Sequence, residues 1–267
     1  MTTLDLPRLK SSELGSLACM CATGVLLIAL QLPIGWVAMG LGVALLLLAS
    51  PHFRKDILLI YLSLALLGIT RIDTDVGYGH MAAMGLTLLL AVAIPYFVSR
   101  YVYKDYLVRF RWHHGRNWYK KEIFYVFFTV AVSYLLLPYY LSSTGAYLNW
   151  SVEPGLSFLT RLFIGTNALG IWDELFFVST VLGILRRFLP FGWANIVQSV
   201  LFSSFLYELG FTGWGPLVLY PFALLQGYVF HRTESLLYVI TIHLSLDLVL
   251  YLALIHAYYP DWIPLFL

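Results

Sequence analysis

The stretch GIWDELFFVSTVLGIL, residues 170–185, places two carboxyl groups inside an otherwise apolar run. A charge at the centre of a bilayer costs ~2.5–3.5 kcal/mol on insertion scales, so such a group usually faces the interior of a helix bundle and has a function. We therefore interpret Asp173 and Glu174 as members of a polar site inside a helical membrane protein.

Two later apolar runs are interrupted in the same way. VLFSSFLYELG, residues 200–210, contains Glu208, and YVITIHLSLDLVLYL, residues 238–252, contains His243 and Asp247. Ionisable groups within apolar segments are rare and tend to pair with one another. Five of them on three late segments predict a single buried site.

The composition places the chain in the membrane class. Hydrophobic residues make up 60% and charged residues 11% of its 267 residues, whereas soluble domains carry about 25% charged residues. The net charge is only +2, and no basic stripe accompanies a soluble fold. Both observations argue against nucleic-acid binding. Cys19 and Cys21 lie within the first apolar run, where small buried thiols are expected rather than a disulfide or a metal pair.

Nine apolar segments predict an all-α, polytopic membrane bundle of eight or nine transmembrane helices. The third segment is short, so eight spans is the alternative, and the first is expected to be retained rather than cleaved. We expect residues 1–121 to form N-terminal transmembrane helices with a basic interfacial segment at 100–121, and residues 122–267 to form the core that carries the polar site. The segments are 14–32, 34–50, 57–70, 81–99, 122–141, 156–185, 191–209, 215–231 and 235–257.

The distribution of basic residues predicts a cytoplasmic N-terminus. With nine spans and that orientation, the clusters before span one, after spans two, six and eight, and between spans four and five all fall on the cytoplasmic side, as the positive-inside rule requires. Arg71 is then the only basic residue in an outer loop.

The segment 100–121, RYVYKDYLVRFRWHHGRNWYKK, mixes basic and aromatic residues. This composition predicts an interfacial helix or hairpin on the cytoplasmic face, attracted to anionic lipid headgroups. His113 and His114 are adjacent in this basic loop; we expect solvated side chains, with metal binding as the alternative.

Helical rise predicts the depth of the ionisable groups. At ~1.5 Å per residue, Glu174 lies about 18 Å from Arg186 at the cytoplasmic end. His243 and Asp247 lie about 12 and 18 Å beyond Ser235, on one helical face because they are separated by four residues. These three groups are therefore expected to share one level in the bundle.

Two other acidic groups are placed differently by the same measure. Glu208 lies about 25 Å beyond Phe191, nearer the outer surface. Asp173 points ~100° away from Glu174 around the helix, so the two are expected to need different partners.

Gly165 and Gly170 are candidate kinks in the long sixth span. Further polar residues are expected to hydrogen-bond between helices: Asn167, Asn195, Gln198, Ser203, Ser204 and Gln226.

In order and spacing, these motifs resemble the CPBP family, the CAAX-protease and bacteriocin-processing (Abi) intramembrane endopeptidases. The family pattern is EExxxR on one helix, FxxxH on the next and HxxxN or a variant on a last one. Here the corresponding segments read DELFFV at 173–178, FSSFL at 202–206 and HLSLD at 243–247. The approach GYVFHRTESLLYVITIH, 227–243, adds to the likeness, which covers roughly residues 156–255.

The resemblance implies roles for individual residues. Asp173 would be the base that activates water, Glu174 its partner, and His243 with Asp247 would bind the scissile carbonyl or an ion. The chain departs from the pattern at Asp173, one methylene shorter than the first glutamate of the family, at Val178, where the family has arginine, and at Leu206, where it has histidine.

The nearest polar groups to position 206 are Tyr207 and Glu208, which we count as possible site residues. Because one general acid or base contributes 10²–10⁴-fold, the missing histidine predicts altered machinery. The resemblance also implies a membrane-associated protein or peptide substrate and, by family habit, the plasma membrane of a prokaryote.

Two alternatives stay open at this point. The first is a catalytically degenerate homologue that binds or stabilises a membrane partner. The second is a carboxylate-rich site for a divalent metal such as zinc, iron or manganese, acting on a lipid or prenoid. Its candidate ligands are Glu174, Glu208, His243 and Asp247. A transporter is less favoured because the sequence shows no repeat or paired broken helices.

Overall fold

A computed structural model describes residues 8–70, 72–113, 115–264 and 266. Nine helices of more than ten residues occupy these ranges, which contain no strand, and the all-α prediction is confirmed. A short 3-10 turn covers Ala146–Asn149. The helices are α1 Ser11–Ala29, α2 Ile34–Leu46, α3 Pro51–Ile69, α4 Tyr78–Val102, α5 Lys120–Thr144, α6 Leu156–Leu185, α7 Phe191–Glu208, α8 Pro216–Thr233 and α9 Leu236–Tyr258.

Five of the helices in the described residues are long and apolar enough to cross a membrane: α1, α4, α5, α6 and α9. Since the hydrocarbon core is ~30 Å thick and needs about 20 residues of helix, the chain is a multi-pass integral membrane protein. The total of eight or nine spans and the orientation of the N-terminus stay predictions.

The third helix begins earlier than its apolar run. The sequence predicts a short span from residue 57, whereas α3 starts at Pro51 and has 19 residues. Proline suits this first helical position because its fixed φ fits the helix and its missing N–H would have no partner there. The charged residues 54–56 occupy the first turns. Hydropathy alone therefore places the start of this helix too late in the sequence.

Helix α4 contains a proline whose effect is compensated by a neighbouring helix. Pro95 cannot donate a hydrogen bond to the carbonyl of Ala91, four residues earlier. The hydroxyl of Ser63 on α3 donates to that carbonyl oxygen at 2.8 Å. This contact satisfies the buried backbone group and joins α3 to α4.

The basic aromatic segment is neither a separate helix nor a hairpin in the part that the structure describes. Beyond Val102 its chain is irregular up to Tyr119. Its carbonyls instead accept hydrogen bonds from the start of α9, at 2.8 Å from Leu236 N to Arg111 O and 3.1 Å from Leu237 N to Trp112 O. The first N–H groups of a helix lack internal partners, so the segment serves as their acceptor. His114 lies outside the described residues.

An ion network ties this segment to two helix ends. Arg187 Nη1 lies 2.9 Å from Asp56 Oδ2 and 3.2 Å from Asp105 Oδ2, and Lys55 Nζ lies 3.0 Å from Asp105 Oδ2. Burial acts to raise the pKa of Asp105, but hydrogen bonds from Ser99 and Lys55 outweigh it and the pKa lies below its ordinary value. These basic clusters therefore share one end of the bundle, which we call the basic end.

Aromatic packing fixes α6 against its neighbours. The rings of Phe177 and Phe202 stack at 4.8 Å between α6 and α7, and Trp172 lies 4.7 Å from Phe205. Trp172 Nε1 also donates to Leu88 O of α4 at 2.7 Å. Since offset and edge-on aromatic pairs add stability beyond area burial, these contacts hold the acidic segment of α6 at a set position inside the bundle.

Candidate active site

Four of the predicted site residues meet around one imidazole. His243 Nδ1 lies 2.8 Å from Glu174 Oε1, and its Nε2 lies 3.8 Å from Asp173 Oδ2 and 3.8 Å from Asp247 Oδ1. None of the four residues is more than 8% exposed. Helices α6 and α9 thus bring the acidic pair and the histidine motif to one level, as the depth argument predicts.

The acidic pair does not have separate partners. Asp173 and Glu174 approach the same ring from different sides, because the two imidazole nitrogens point in different directions. The hydrogen-bonding pattern of α6 changes at this point, from α-helix up to Asp173 to a π-helical stretch over Glu174–Val181. Such π-bulges are frequent at functional sites.

Two further candidates lie outside this cluster. Glu208 Oε1 accepts a hydrogen bond from Gln31 Nε2 at 2.6 Å, and the carboxylate lines a separate pocket of about 290 Å³ with residues of α1 and α3. Tyr207 precedes it on α7 and does not line the cavity beside His243. Glu208 stands at the last residue of α7, and the sequence argument already places it at a different depth.

The cluster forms part of the wall of a large cavity. Its volume is about 880 Å³, and Asp173, His243 and Asp247 line it. Glu174 lies behind the imidazole and does not reach the cavity. Most of the remaining wall is apolar and comes from α4, α5, α6, α8 and α9. A concave apolar space with a few convergent polar groups is the usual form of a binding site.

Exposed apolar side chains form part of the cavity wall. Leu89 of α4, Phe128 of α5 and Leu217 of α8 all line it. The same side chains are 62%, 51% and 76% exposed. The cavity wall is therefore continuous with the apolar outer surface of these helices.

The imidazole is held by aromatic contacts as well as by Glu174. The ring of Phe222 meets that of His243 edge-on at 5.2 Å, and the ring of Phe202 lies 5.9 Å away. Packing that locks rotamers keeps functional groups in a productive geometry. The sequence does not distinguish Phe222 from an ordinary lipid-facing or core phenylalanine.

Gly170 allows α6 to approach α9 at this site. A Cβ at position 170 would collide with Asp247 Oδ2 and lie 3.1 Å from His243 Cδ2. Gly170→Ala is therefore expected to displace both side chains, to lower stability by about 1–3 kcal/mol and to reduce activity. Thermal unfolding in detergent measures the first effect. Gly183→Ala on the same helix is the control, since a Cβ there meets nothing within 4 Å; equal behaviour of the two variants would contradict the close approach.

Gln226 also belongs to the site, although the sequence predicts only a hydrogen bond between helices for it. From α8 its Nε2 donates to Glu174 Oε1 at 2.7 Å and to Val239 O of α9 at 3.2 Å. The predicted interhelical bonding is confirmed for Gln226. The sequence signal was a lone amide in an apolar helix, which does not reveal its partner.

Asn195 and Gln198 likewise bond from α7 to carbonyls of α8. The predicted interhelical bonding is wrong for Asn167 and Ser204, which bond within their own helices to Phe163 O and Val200 O. It is also wrong for Ser203, whose Oγ has no partner among the described residues.

The four proposed metal ligands do not assemble into one metal-binding set, although Glu174, His243 and Asp247 lie in the cluster. In the described part of the chain, no three His, Cys, Asp or Glu side chains are placed to hold a metal ion. Glu208 lies elsewhere, and Glu174 is hydrogen-bonded to His243 Nδ1 and Gln226. His113 Nδ1 accepts a hydrogen bond from Gly115 N at 2.7 Å. The residues that the structure brings together therefore do not fit the predicted four-ligand set.

The fold and this cluster define a multi-pass helical membrane protein with a carboxylate–imidazole site on the wall of a large, mostly apolar cavity. Residues 155–249 match the Rce1-like family, described as type II CAAX prenyl endopeptidase Rce1-like. The match begins at the start of α6, ends within α9 and includes all four clustered residues. The resemblance to the CAAX-protease family is thereby confirmed for this segment. Neither the curated proteins nor the solved structures provide a match.

Two of the departures from the family pattern, Val178 and Leu206, occupy different environments. Val178 is fully buried among the apolar residues of the core, where a charged arginine would lack solvation. Leu206 is also buried but lines the cavity beside the cluster. The position of the missing histidine therefore faces the same space as Asp173 and His243.

Proposed function

We propose that this protein is an intramembrane endopeptidase that hydrolyses a peptide bond in a membrane-associated protein or peptide. The family match over residues 155–249 supports this reaction class. The observation that carries the proposal is the placement of His243 Nε2 on a cavity wall, with Asp173 and Asp247 each 3.8 Å away. This arrangement offers a proton acceptor to the attacking water and a hydrogen-bond donor to the oxygen of one bound carbonyl.

In the proposed reaction, water attacks the carbonyl carbon and transfers a proton to the carboxylate of Asp173. The carbonyl oxygen gains the negative charge and accepts a hydrogen bond from Nε2–H of the His243 imidazolium, whose other proton, on Nδ1, is donated to Glu174. When the C–N bond breaks, Asp173 returns its proton to the leaving nitrogen. A preorganised donor in a water-poor site stabilises such an oxyanion strongly, and Glu174 holds the donor in place at 2.8 Å.

The apolar cavity indicates the substrate class. A space of about 880 Å³ whose wall is continuous with the apolar outer surface of the bundle suits a peptide carrying a hydrophobic anchor next to the scissile bond. The family description names prenyl substrates, and a prenyl or acyl chain fits the apolar walls. The anchor can stay in the membrane while the peptide reaches the polar wall.

We further propose that the basic end binds anionic headgroups in a prokaryotic plasma membrane. Lys104, Lys120 and Lys121 are exposed at the two ends of the irregular segment, and the rings of Tyr106 and Trp112 within the segment are exposed as well. Each basic residue near an anionic surface contributes about 1 kcal/mol of attraction. This contact would set the height of the bundle in the bilayer.

Cleavage assays with two asparagine variants test the proposed reaction. Asp173→Asn is expected to lower kcat by about 10²–10⁴-fold because it removes the base. Asp247→Asn is expected to keep activity within about tenfold, because a neutral amide does not repel the oxyanion and can donate to it. The measurement is product formation, by mass spectrometry, from a prenylated peptide in proteoliposomes. Equal activity of Asp173→Asn and the wild type would contradict the assignment.

A second function is favoured by one observation. Leu206 lines the cavity where the family has a histidine, so the wall lacks one acid or base. This is expected of a relative that binds membrane peptides without cutting them. In the same proteoliposomes, wild-type protein that retains the peptide without forming product would support this binding function over hydrolysis.

A further inference from the structure

The amide of Gln226 has only one chemically consistent orientation. Its nitrogen lies 2.7 Å from a carboxylate oxygen of Glu174 and 3.2 Å from the carbonyl oxygen of Val239. Both neighbours are acceptors, and only the NH₂ side of an amide donates. Gln226 thus connects α8 to α6 and α9 with two hydrogen bonds. The residue is buried, with 1% of its surface exposed.

These bonds determine how Glu174 meets the imidazole. Oε1 of Glu174 accepts from Gln226 and lies 2.8 Å from His243 Nδ1. A donor at Oε1 favours negative charge on that atom, so Oε1 is an acceptor for the imidazole as well. Nδ1 therefore carries a proton, which it donates to Glu174. Nε2 is the ring nitrogen that faces the cavity.

We propose that Gln226 is a positioning residue, which acts through Glu174 to hold His243 with Nε2 toward the cavity. Gln226 does not line the cavity, so it does not touch a bound substrate. The inference rests on the proposed peptidase function for its effect on activity, whereas its effect on the imidazole is independent of any substrate.

The surroundings of Glu174 explain why one amide matters. Glu174 is fully buried, and its Oε2 has no hydrogen-bond partner among the described residues. Val178, which stands where the family has arginine, supplies no charge or donor. A buried carboxylate needs hydrogen bonds to keep its geometry, and Gln226 and His243 are the side chains that supply them to Oε1.

Gln198 on α7 is a matched control for a purely structural role. Its Nε2 donates to Asn195 Oδ1 at 2.9 Å and to Ala223 O at 3.1 Å, and it is fully buried. It joins α7 to α8 with the same chemistry but bonds to no residue of the His243 cluster. Loss of either amide should weaken helix packing to a similar degree.

The activity arm compares Gln226→Met with Gln198→Met in proteoliposomes. We expect Gln226→Met to lower kcat about 10- to 100-fold with KM unchanged, the size of one hydrogen bond to a charged group. Gln198→Met should keep the wild-type kcat. In a Glu174→Gln background, Gln226→Met should cause no further loss, since both changes act through one group. Equal losses in the two methionine variants, or a loss in Gln226→Met that appears in KM alone, would overturn the proposal.

The spectroscopic arm requires no substrate. In protein labelled with ¹⁵N-histidine, with His243 assigned by its loss in His243→Gln, the ¹⁵N shifts should show Nδ1 protonated in the wild type and in Gln198→Met. Gln226→Met should shift the His243 signals. Unchanged signals would overturn the proposal even if activity fell. If wild-type protein cleaves nothing while the signals shift as expected, the proposed function fails and the positioning role of Gln226 stands.

Discussion

Replacing His243 by alanine is expected to lower kcat by about 10²–10⁴-fold. The substitution removes the donor for the oxyanion and leaves three buried carboxyl groups without their shared partner. Among the described residues, the imidazole is the one side chain that contacts Asp173, Glu174 and Asp247 together. Glu174→Ala should have a similar effect, because His243 would lose the acceptor at Nδ1.

His256→Ala is the control for this prediction. His256 also lies on α9, but near its opposite end, where Nδ1 lies 2.8 Å from Ile263 O. Initial rates of peptide cleavage in proteoliposomes, normalised to folded protein, should be near wild type for His256→Ala. Unchanged cleavage in both His243→Ala and Glu174→Ala would refute the assignment of the active site.

Replacing Leu206 by histidine is expected to raise kcat by about 10²-fold. Position 206 lines the cavity that contains Asp173 and His243, and it corresponds to the histidine that the family pattern places on this helix. A second imidazole there can share the proton that Asp173 takes from water. One positioned acid or base contributes 10²–10⁴-fold, and the imperfect placement of an introduced side chain favours the lower limit.

Leu206→Gln is the matched variant for this gain. Glutamine fills a similar volume and hydrogen-bonds, but it does not exchange protons near neutral pH. The ratio of kcat values for Leu206→His and Leu206→Gln therefore isolates proton transfer from polarity. A ratio near one in correctly folded protein would show that position 206 is not part of the reaction.

Much of the fold and site followed from the sequence through two physical rules. The high cost of charge in lipid singled out Asp173, Glu174, His243 and Asp247, and helical rise placed the last three at one depth. The same rule put Glu208 at a different level, and the structure shows it bonded to Gln31 instead. Depth is predictable because it needs only a count along one helix.

Other features depended on contacts between distant residues. The basic segment pairs its carbonyls with the N–H groups of Leu236 and Leu237 at the start of α9, a contact that no local pattern reveals. Asp173 and Glu174 were expected to have separate partners, yet one imidazole contacts both. The roles of Gln226 and Gly170 arise where α6, α8 and α9 meet, and helical periodicity does not fix how helices pack laterally.

The central claim is that the carboxylate–imidazole cluster lies on the wall of an open cavity, and cysteine labelling tests it most directly. In a protein with Cys19 and Cys21 replaced by serine, Leu206→Cys should react with N-ethylmaleimide, a small uncharged reagent that can enter from water or from lipid, because position 206 lines the cavity. Leu201→Cys, five residues earlier on α7, should stay unreactive, since Leu201 is buried away from that cavity. Equal protection of both cysteines in folded protein would contradict the account.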